Sequence, residues 1–297
     1  MNDMLFSATL ENSLSKTHVP SNREVEQILT RKLSHIAPEP DFAGLWDLND
    51  HRLGHVSQVL SASQDTREAI LTDLAQGRFR EAYGIEKAGM SFAAKMSLLA
   101  QSLNEQKLYS LFASEEAAHF HFIQAVLGDP PDLSKDPFIQ FLNELIISAE
   151  RRPLLFIIQV VLEGWGLDHY AGMLKSCKQA SFKGPLQQIL SDEAAHHGSG
   201  LSLFQEDELS QSELKYTLEM MSAFLDMVRI GPVGLMHTLD SHLGGLTTAQ
   251  KQAVLTEMDA VEDTTRKLNL LKGLMQKAQA KQILAELEAK SAFTLLF

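Results

Sequence analysis

One short motif occurs twice in this chain, and the repetition constrains the fold more than any other feature. Segment 115–119 reads Glu-Glu-Ala-Ala-His, and segment 192–196 reads Asp-Glu-Ala-Ala-His, a shift in numbering that we call the repeat shift (192 − 115 = 77). A lone glutamate precedes each motif, Glu86 the first and Glu163 the second, and these two are separated by the same shift (163 − 86 = 77). The chain therefore carries two copies of one pattern of three polar side chains.

Each copy has the spacing of a metal-binding half-site. In Glu-x-x-His on a helix, the carboxylate and the imidazole lie on one face, one turn apart. The lone glutamate can reach the motif because the intervening residues are enough for two antiparallel helical limbs and a turn. Two copies give four carboxylates and two imidazoles, a donor set that suits iron or manganese more than copper. The candidate ligands are Glu86, Glu116, His119, Glu163, Glu193 and His196.

These residues could instead be surface carboxylates and core histidines of ordinary amphipathic helices. A single Glu-x-x-His is weak evidence, since about one is expected by chance in a chain of this size. Two copies with a common offset are harder to explain in that way. Glu163 also stands in an apolar run at 160–165, where a carboxylate needs a partner. A metal pair would supply that partner, so we favour metal binding.

Apolar residues recur at intervals of three and four along the chain, and strand-like alternation is scarce, which predicts an all-α fold. We expect a four-helix core at 78–204, N-terminal helices at 1–77 packed on it, and C-terminal helices at 205–297 in the same domain. The predicted helices cover 21–36, 47–60, 65–76, 78–103, 105–127, 137–150, 154–178, 185–204, 210–243, 248–277 and 278–294.

Charge and cysteine content argue against several classes of protein. The formal net charge of −12 leaves no basic excess to neutralise phosphates, so nucleic acid is a poor partner. Cys177 is the single cysteine, which excludes an intrachain disulfide or an iron–sulfur cluster and suggests a reducing compartment such as the cytoplasm. Segment 1–14 lacks the basic start of a signal peptide, and the longest apolar stretch, 153–162, is too short to span a bilayer.

Segment 192–197, Asp-Glu-Ala-Ala-His-His, resembles the second metal motif of the ferritin-like di-iron oxygenases and oxidases. Those include acyl carrier protein desaturases, bacterial multicomponent monooxygenases, the ribonucleotide reductase small subunit and aldehyde-deformylating oxygenases. The resemblance covers about 78–204, two-fifths of the chain. It implies a ferritin-like four-helix bundle with additional N- and C-terminal helices and two iron ions, with manganese as an alternative. It also implies that the protein activates dioxygen to oxidise a small, apolar organic substrate.

The resemblance assigns further roles beside the ligands. In several relatives, the acid before the ligand glutamate hydrogen-bonds the ligand histidine of the opposite half. Carried over, Asp192 would orient His119 and Glu115 would orient His196, fixing the tautomer of each ring. His197 could be a third nitrogen ligand or a donor to a ligand, and that choice stays open.

Two departures from the relatives narrow the resemblance. Ile123 stands where the reductase subunit has its radical tyrosine, and Ile189 stands where the p-aminobenzoate N-oxygenase type has an extra histidine. The chain also lacks a Gly-x-Gly-x-x-Gly motif and a cysteine cluster. Electrons would therefore come from an external donor or from the substrate.

Glycines cluster beside both lone glutamates. Gly84 and Gly89 flank Glu86, whereas Gly164 and Gly166 follow Glu163. They could make room for dioxygen or substrate, could mark a π-bulge, or could allow close contact between helices.

Other functions stay open at this point. A ferroxidase or iron-handling protein, a manganese catalase and a non-enzymatic helical interaction protein all fit parts of the sequence. A homodimer also remains open.

Overall fold

The computed structural model describes residues 2–15, 23–33 and 38–297. Within these ranges the chain is helical and has no β-strand, so the all-α prediction is confirmed. None of the helices in the described part combines the length and apolar character needed to cross a membrane. In chain order the α-helices are α1 (Asn2–Ser15), α2 (Arg23–Leu33), α3 (Phe42–Leu45), α4 (Ser57–Leu60), α5 (Gln64–Leu99), α6 (Leu103–Leu127), α7 (Pro137–Ser148), α8 (Arg151–Leu154), α9 (Glu163–Ser176), α10 (Ala180–Leu203), α11 (Gln211–Arg229), α12 (Val233–His242), α13 (Thr248–Glu257), α14 (Ala260–Lys277) and α15 (Lys281–Ala289).

Two short 3-10 helices, Asn49–His51 and Glu206–Glu208, and one π-helix complete the described structure. The π-helix, Leu155–Leu162, is called π1 below and leads directly into α9. By its internal contacts the chain forms two compact units. The first unit comprises 1–40 and 78–154, and the second comprises 41–77 and 155–297.

The first unit holds the hairpin of α5 and α6. The Ser102 hydroxyl accepts the Glu105 amide and starts α6, while Gly128, with φ of 73°, ends it. On the neighbouring helix, the Asp136 carboxylate caps the start of α7. These caps satisfy backbone groups that a helix end leaves open, so they fix where α6 begins and ends and where α7 begins.

A buried lysine joins α5 to the end of α7 in this unit. The Lys95 ammonium donates to the carbonyl oxygens of Ile146 at 2.7 Å and Ala149 at 2.8 Å. Burial lowers the pKa of Lys95 to about 8. The lysine therefore satisfies carbonyls at the carboxyl end of α7 that have no partner within their own helix.

The second unit packs α10 against α9 and π1, and α14 against the same two elements. Segments far apart in sequence meet in this unit. The Trp46 indole donates to the carbonyl oxygen of Met173 at 3.0 Å, and Lys178 donates its amide to the carbonyl of Leu45. Carboxylate oxygens of Glu206 accept the amides of Gln282 and Ile283 at the start of α15. These contacts hold the ends of α9 and α10 in place.

Several predicted helix boundaries were wrong. Helices were expected at 65–76 and 78–103, but α5 is continuous through both, because Gly77 can take the helical conformation at a cost of about 1 kcal/mol. The single helix expected at 210–243 is divided into α11 and α12 by Gly231, with φ of 85°, followed by a proline. The helix expected at 248–277 is divided into α13 and α14 at Asp259, which has φ of 53°.

Other predictions were closer. The expected helices at 105–127, 137–150, 185–204 and 278–294 correspond to α6, α7, α10 and α15. The helix expected at 21–36 is α2, although 21, 22 and 34–36 lie outside the described residues. The region 154–178 is helical but begins as a π-helix, and 47–60 holds a 3-10 helix and α4 rather than one helix. Helix α1 was not predicted.

Candidate metal centre

The first unit brings together three of the predicted ligands, Glu86 from α5 with Glu116 and His119 from α6. All three are buried, and the Glu86 side chain is 1% exposed. Each offers a ligand atom within 4.8 Å of those of the other two. His119 Nδ1 lies 3.2 Å from Glu86 Oε2. We call these three residues the first half-site.

Gly89 makes room for one of these ligands. It lies one turn after Glu86 on α5, and a Cβ atom at this position would overlap the Glu116 carboxylate. The α5 backbone therefore runs close against that carboxylate. The absence of a side chain at Gly89 determines where Glu116 lies.

The second unit brings together the other three predicted ligands, Glu163 from α9 with Glu193 and His196 from α10. His196 Nδ1 lies 3.4 Å from Glu163 Oε2 and 4.0 Å from Glu193 Oε1. Glu163 Oε2 is buried and has no hydrogen-bond partner within 2–15, 23–33 and 38–297. A buried carboxylate oxygen in this condition is costly unless a cation neutralises it. We call these three residues the second half-site.

The two half-sites differ in the backbone that carries the lone glutamate. Glu86 lies inside the α-helix α5, whereas Glu163 directly follows π1, whose eight residues are all buried. The π-bulge considered for the glycine-rich segments is not found at the glycines themselves, because π1 ends at Leu162 and both Gly164 and Gly166 lie in the α-helix α9. Around Glu86 the backbone is α-helical as well. π-helical segments are rare and frequently occur at functional sites.

The four glycines near the lone glutamates have different surroundings. A Cβ at Gly84 would overlap Ile139, so this glycine allows close helix packing. At Gly164 a Cβ would lie 2.6 Å from Leu274 and 2.9 Å from the Nδ1 of His197. At Gly166 nothing described lies within 4 Å. Space beside a predicted ligand is thus found at Gly166 alone of the four.

Comparison with known families agrees with this geometry. A family model described as a ferritin-like domain matches residues 58–206, which is half of the chain. The chain belongs to the ferritin-like domain family. Neither the curated proteins nor the solved structures gave a significant match.

The predicted fold, a ferritin-like domain with further helices outside it, is therefore confirmed. The matched segment contains α5, α6, π1, α9 and α10, and so all six predicted ligands. The division of the chain at 77 and 204 remains a prediction.

Two acids of the ferritin-like domain were predicted to orient the ligand histidines. The Asp192 carboxylate accepts the side-chain amide of Gln188, one turn earlier on α10, at 2.9 Å. Glu115 is half-buried on α6. Their predicted contacts with His119 and His196 remain predictions.

His197 is buried beside the second half-site. Its ring lies against Gly164, and its Nδ1 atom has no hydrogen-bond partner within the described part of the chain. His197 is not a member of the groups of described residues whose ligand atoms lie within 4.8 Å of one another.

Sequence reasoning missed one polar residue of the domain. Gln159 falls within the apolar stretch 153–162, and no role was predicted for it from the sequence. Its side-chain amide donates to the carbonyl oxygen of His196 at 3.0 Å and to the Ser199 hydroxyl at 2.7 Å. A lone amide in an otherwise apolar helical run was the available signal, because a buried amide requires partners.

Proposed function

We propose that this ferritin-like protein is a non-haem di-iron oxidase or oxygenase. It would use dioxygen to oxidise a small, apolar organic substrate. The two half-sites would together hold a pair of iron ions, with manganese as the alternative metal. The observation that carries the proposal is that each unit holds a cluster of two glutamates and one histidine, with five of the six residues buried and Glu163 partly buried, and the repeat shift relates the two clusters.

The donor chemistry fits a pair of divalent ions. Four ionised carboxylates carry four negative charges, which two divalent cations would balance if both imidazoles are neutral. The Glu163 Oε2 atom, which is buried and accepts no hydrogen bond within the described part of the chain, is one that such a cation would neutralise. Carboxylates with imidazole suit iron or manganese, whereas a structural zinc or copper site would have more sulfur or nitrogen ligands.

The side chains have separable roles. His119 Nδ1 and His196 Nδ1 are the ring nitrogens nearest the carboxylates, so they would be the nitrogen ligands. The four glutamates would bind the ions and balance their charge. The apolar, buried π1 would keep bulk water from the second half-site. A bound iron pair would supply two-electron chemistry on dioxygen.

Electrons would come from a separate reductant or from an electron-rich substrate. The sequence has no dinucleotide-binding motif and a single cysteine, so flavin, nicotinamide and iron–sulfur routes within the chain are not expected. We expect the protein to work in a reducing compartment such as the cytoplasm. A homodimer remains compatible with these expectations.

The test is dioxygen uptake by the anaerobically loaded ferrous protein. Uptake is measured with and without candidate apolar amines, aldehydes and fatty acyl compounds, and products are followed by mass spectrometry with labelled dioxygen. We expect one class of compound to yield product in proportion to dioxygen consumed. Glu116→Gln should abolish product, while Glu219→Gln, a change on the exposed face of α11, should not.

Three other functions would be recognised by this experiment together with metal-binding and peroxide-turnover assays. Oxidation of iron with release of ferric mineral, and no response to any compound, would replace the proposal with ferroxidase activity. Rapid peroxide turnover by the manganese-loaded protein would indicate a manganese catalase. Failure to bind any metal would leave a helical interaction protein.

A further inference from the structure

The only polar side chain in π1 is completely buried. Gln159 is 0% exposed, and the other seven residues of π1 are leucine, isoleucine, valine and phenylalanine. Burying an amide among such residues is unfavourable unless its hydrogen bonds are made. This buried amide therefore depends on the hydrogen bonds that it makes.

The hydrogen bonds of Gln159 reach the backbone of His196, a predicted metal ligand. Gln159 donates to the carbonyl oxygen of His196 and to the Ser199 hydroxyl, and that hydroxyl donates to the same His196 carbonyl at 2.9 Å. The three groups form a closed triangle of hydrogen bonds between π1 and α10. Gln159 itself lies four residues before Glu163, so the triangle links the backbones of the two ligands.

The packing around this triangle is specific. Gly200 lies opposite Gln159, and a Cβ at Gly200 would lie 3.0 Å from the Cβ, the Cγ and the carbonyl carbon of Gln159. Any side chain at Gly200 would push π1 away from α10. The glycine thus allows the approach that the amide hydrogen bonds require.

The first half-site has no counterpart of this arrangement. The repeat shift places Ala82 at the position of Gln159 and Ile123 at the position of Gly200 (159 − 82 = 200 − 123 = 77). In the second half the larger residue of the pair, Gln159, precedes the lone glutamate and the small residue lies on the motif helix. In the first half the order is reversed, and neither residue of the pair has an amide side chain. The π-helix is also confined to the second half, because the equivalent segment 78–85 lies within the α-helix α5.

The contacts of Gln159 explain how the π-helix is maintained. A π-helix of eight residues is unusual and gains little from its own backbone geometry, so contacts with neighbouring helices must maintain it. Within 155–297, the Gln159 triangle fixes π1 to α10 immediately before Glu163. Shifting π1 by one register would rotate Glu163 away from His196.

We propose that Gln159 is a positioning residue for the second half-site. It holds π1 against α10, so that Glu163 and His196 stand in their binding arrangement before a metal arrives. The inference rests on the proposed metal-binding function. It adds that the two ions are bound with different affinities, because only one of the two lone glutamates depends on this hydrogen-bonded contact.

The experiment compares substitutions by calorimetric titration of the full-length apoprotein with manganous ion. Gln159→Met preserves the length of the side chain but removes the donor, and Gln159→Glu preserves the shape but replaces the donor with an acceptor. Gln140→Met is the matched control, because Gln140 also donates to a backbone carbonyl, at 2.7 Å, but on the exposed face of α7. Circular dichroism checks that each variant keeps its helices.

We expect two manganous ions per wild-type chain. Both Gln159 variants should bind one ion about tenfold more weakly and leave the affinity for the other unchanged. The visible absorption bands of the cobalt-substituted protein should change for one ion only. Gln140→Met should match the wild type in both measurements.

Ser199→Ala tests the triangle from the α10 side, and it decides the matter if the Gln159 variants do not fold. It should weaken the same ion by about threefold, because a hydroxyl acceptor is lost while the bond to the His196 carbonyl remains. If folded Gln159→Met retains both wild-type affinities, packing alone positions π1 and the proposal is overturned. Unchanged affinities in Ser199→Ala would overturn it equally when the Gln159 variants are unfolded. If the wild type itself binds no metal, the proposed function fails first.

Discussion

The two half-sites contain the same three side chains but hold them in different ways. In the first, Glu86 lies inside a 36-residue α-helix, and the missing side chain of Gly89 accommodates the Glu116 carboxylate. In the second, Glu163 follows a π-helix that Gln159 fixes to α10, and the space beside Gly166 is open. The side chain of Glu163 is also 10% exposed, against 1% for Glu86.

This difference shows that two half-sites can share the same candidate ligands while different neighbouring residues hold those ligands in place. Duplicated ligands preserve the chemistry of a metal site, because the ion requires particular donor atoms. The surrounding residues only have to hold those donors in place, and more than one packing arrangement can do so. The two halves can therefore differ in accessibility and metal affinity while their ligands stay the same.

The largest effect should come from removing one ligand of either half. Glu116→Ala and Glu193→Ala should each abolish turnover and lose at least one metal, because the remaining donors cannot balance both ions. Most helices should persist, since apolar packing stabilises them, and circular dichroism with elemental analysis would check both points. Full turnover in either variant would mean that the ligand assignment is wrong. Glu219→Ala, on the exposed face of α11, is the control.

The equivalent glycines of the two halves offer a matched comparison, since the repeat shift relates Gly89 to Gly166 (166 − 89 = 77). Gly89→Ala should reduce turnover about 100-fold, because the new Cβ would displace the Glu116 carboxylate. Gly166→Ala meets nothing within 4 Å and should raise the free energy of unfolding by roughly 0.5–1 kcal/mol through helix propensity. Steady-state kinetics and thermal unfolding measure the two effects. Equal effects of the alanine substitutions at Gly89 and Gly166 would contradict the proposed difference between the two half-sites.

A smaller effect is expected from the acid that precedes the second motif. Asp192→Asn should weaken metal binding or turnover by about 10–100-fold, less than the loss of Glu193, because it would disturb a ligand without removing it. Asp207→Asn, in the exposed 3-10 helix after α10, should change neither. Metal titration of both variants measures this difference in metal affinity. If Asp192→Asn binds metal as the wild type does, Asp192 is only a helix-surface charge.

An effect on stability without an effect on turnover is expected in the first unit, where Lys95 has no counterpart because the equivalent position is Gly172 (95 + 77 = 172). Lys95→Met should cost about 1–3 kcal/mol of unfolding free energy, because carbonyls at the end of α7 lose their donor. Metal content should be unchanged.

The same variant tests whether the pKa of Lys95 is lowered in the folded protein. The folded pKa of about 8 lies below the ordinary 10.5, so between these values the unfolded state binds more protons and the wild type gains stability as pH rises. The deficit of Lys95→Met in urea unfolding should therefore widen from about pH 8 to about 10.5. A deficit that narrows would contradict the lowered pKa. Lys107→Met, an exposed change on α6, should show no trend.

The candidate ligands could be singled out from the sequence because a repeat relates them to one another. Glu86 alone carries little information, but a common shift relates it to Glu163 and relates the two motifs to each other, which chance spacing rarely produces. The family match, the grouping of the first half-site and the contacts of His196 with both glutamates of the second half-site agree with that prediction. The assignment of all six residues to one metal pair remains to be tested.

The supporting structure could not be predicted in the same way. All residues of Leu155–Leu162 are buried, so the segment has no polar stripe from which to distinguish a π-helix from an α-helix. The role of Gln159 depends on Gly200, which lies on another helix, so periodicity within one helix does not connect the two. Gly77 and Gly231 both suggest a break, but only Gly231 has a positive φ and a following proline.

The most direct test of the central claim is the metal content of the purified chain. The protein is loaded anaerobically with ferrous iron, freed of unbound metal, and analysed for iron and protein concentration. We predict about two iron ions per chain. A folded protein that retains no metal, or one that retains a single ion and loses it on substitution of only one half-site, would contradict the claim.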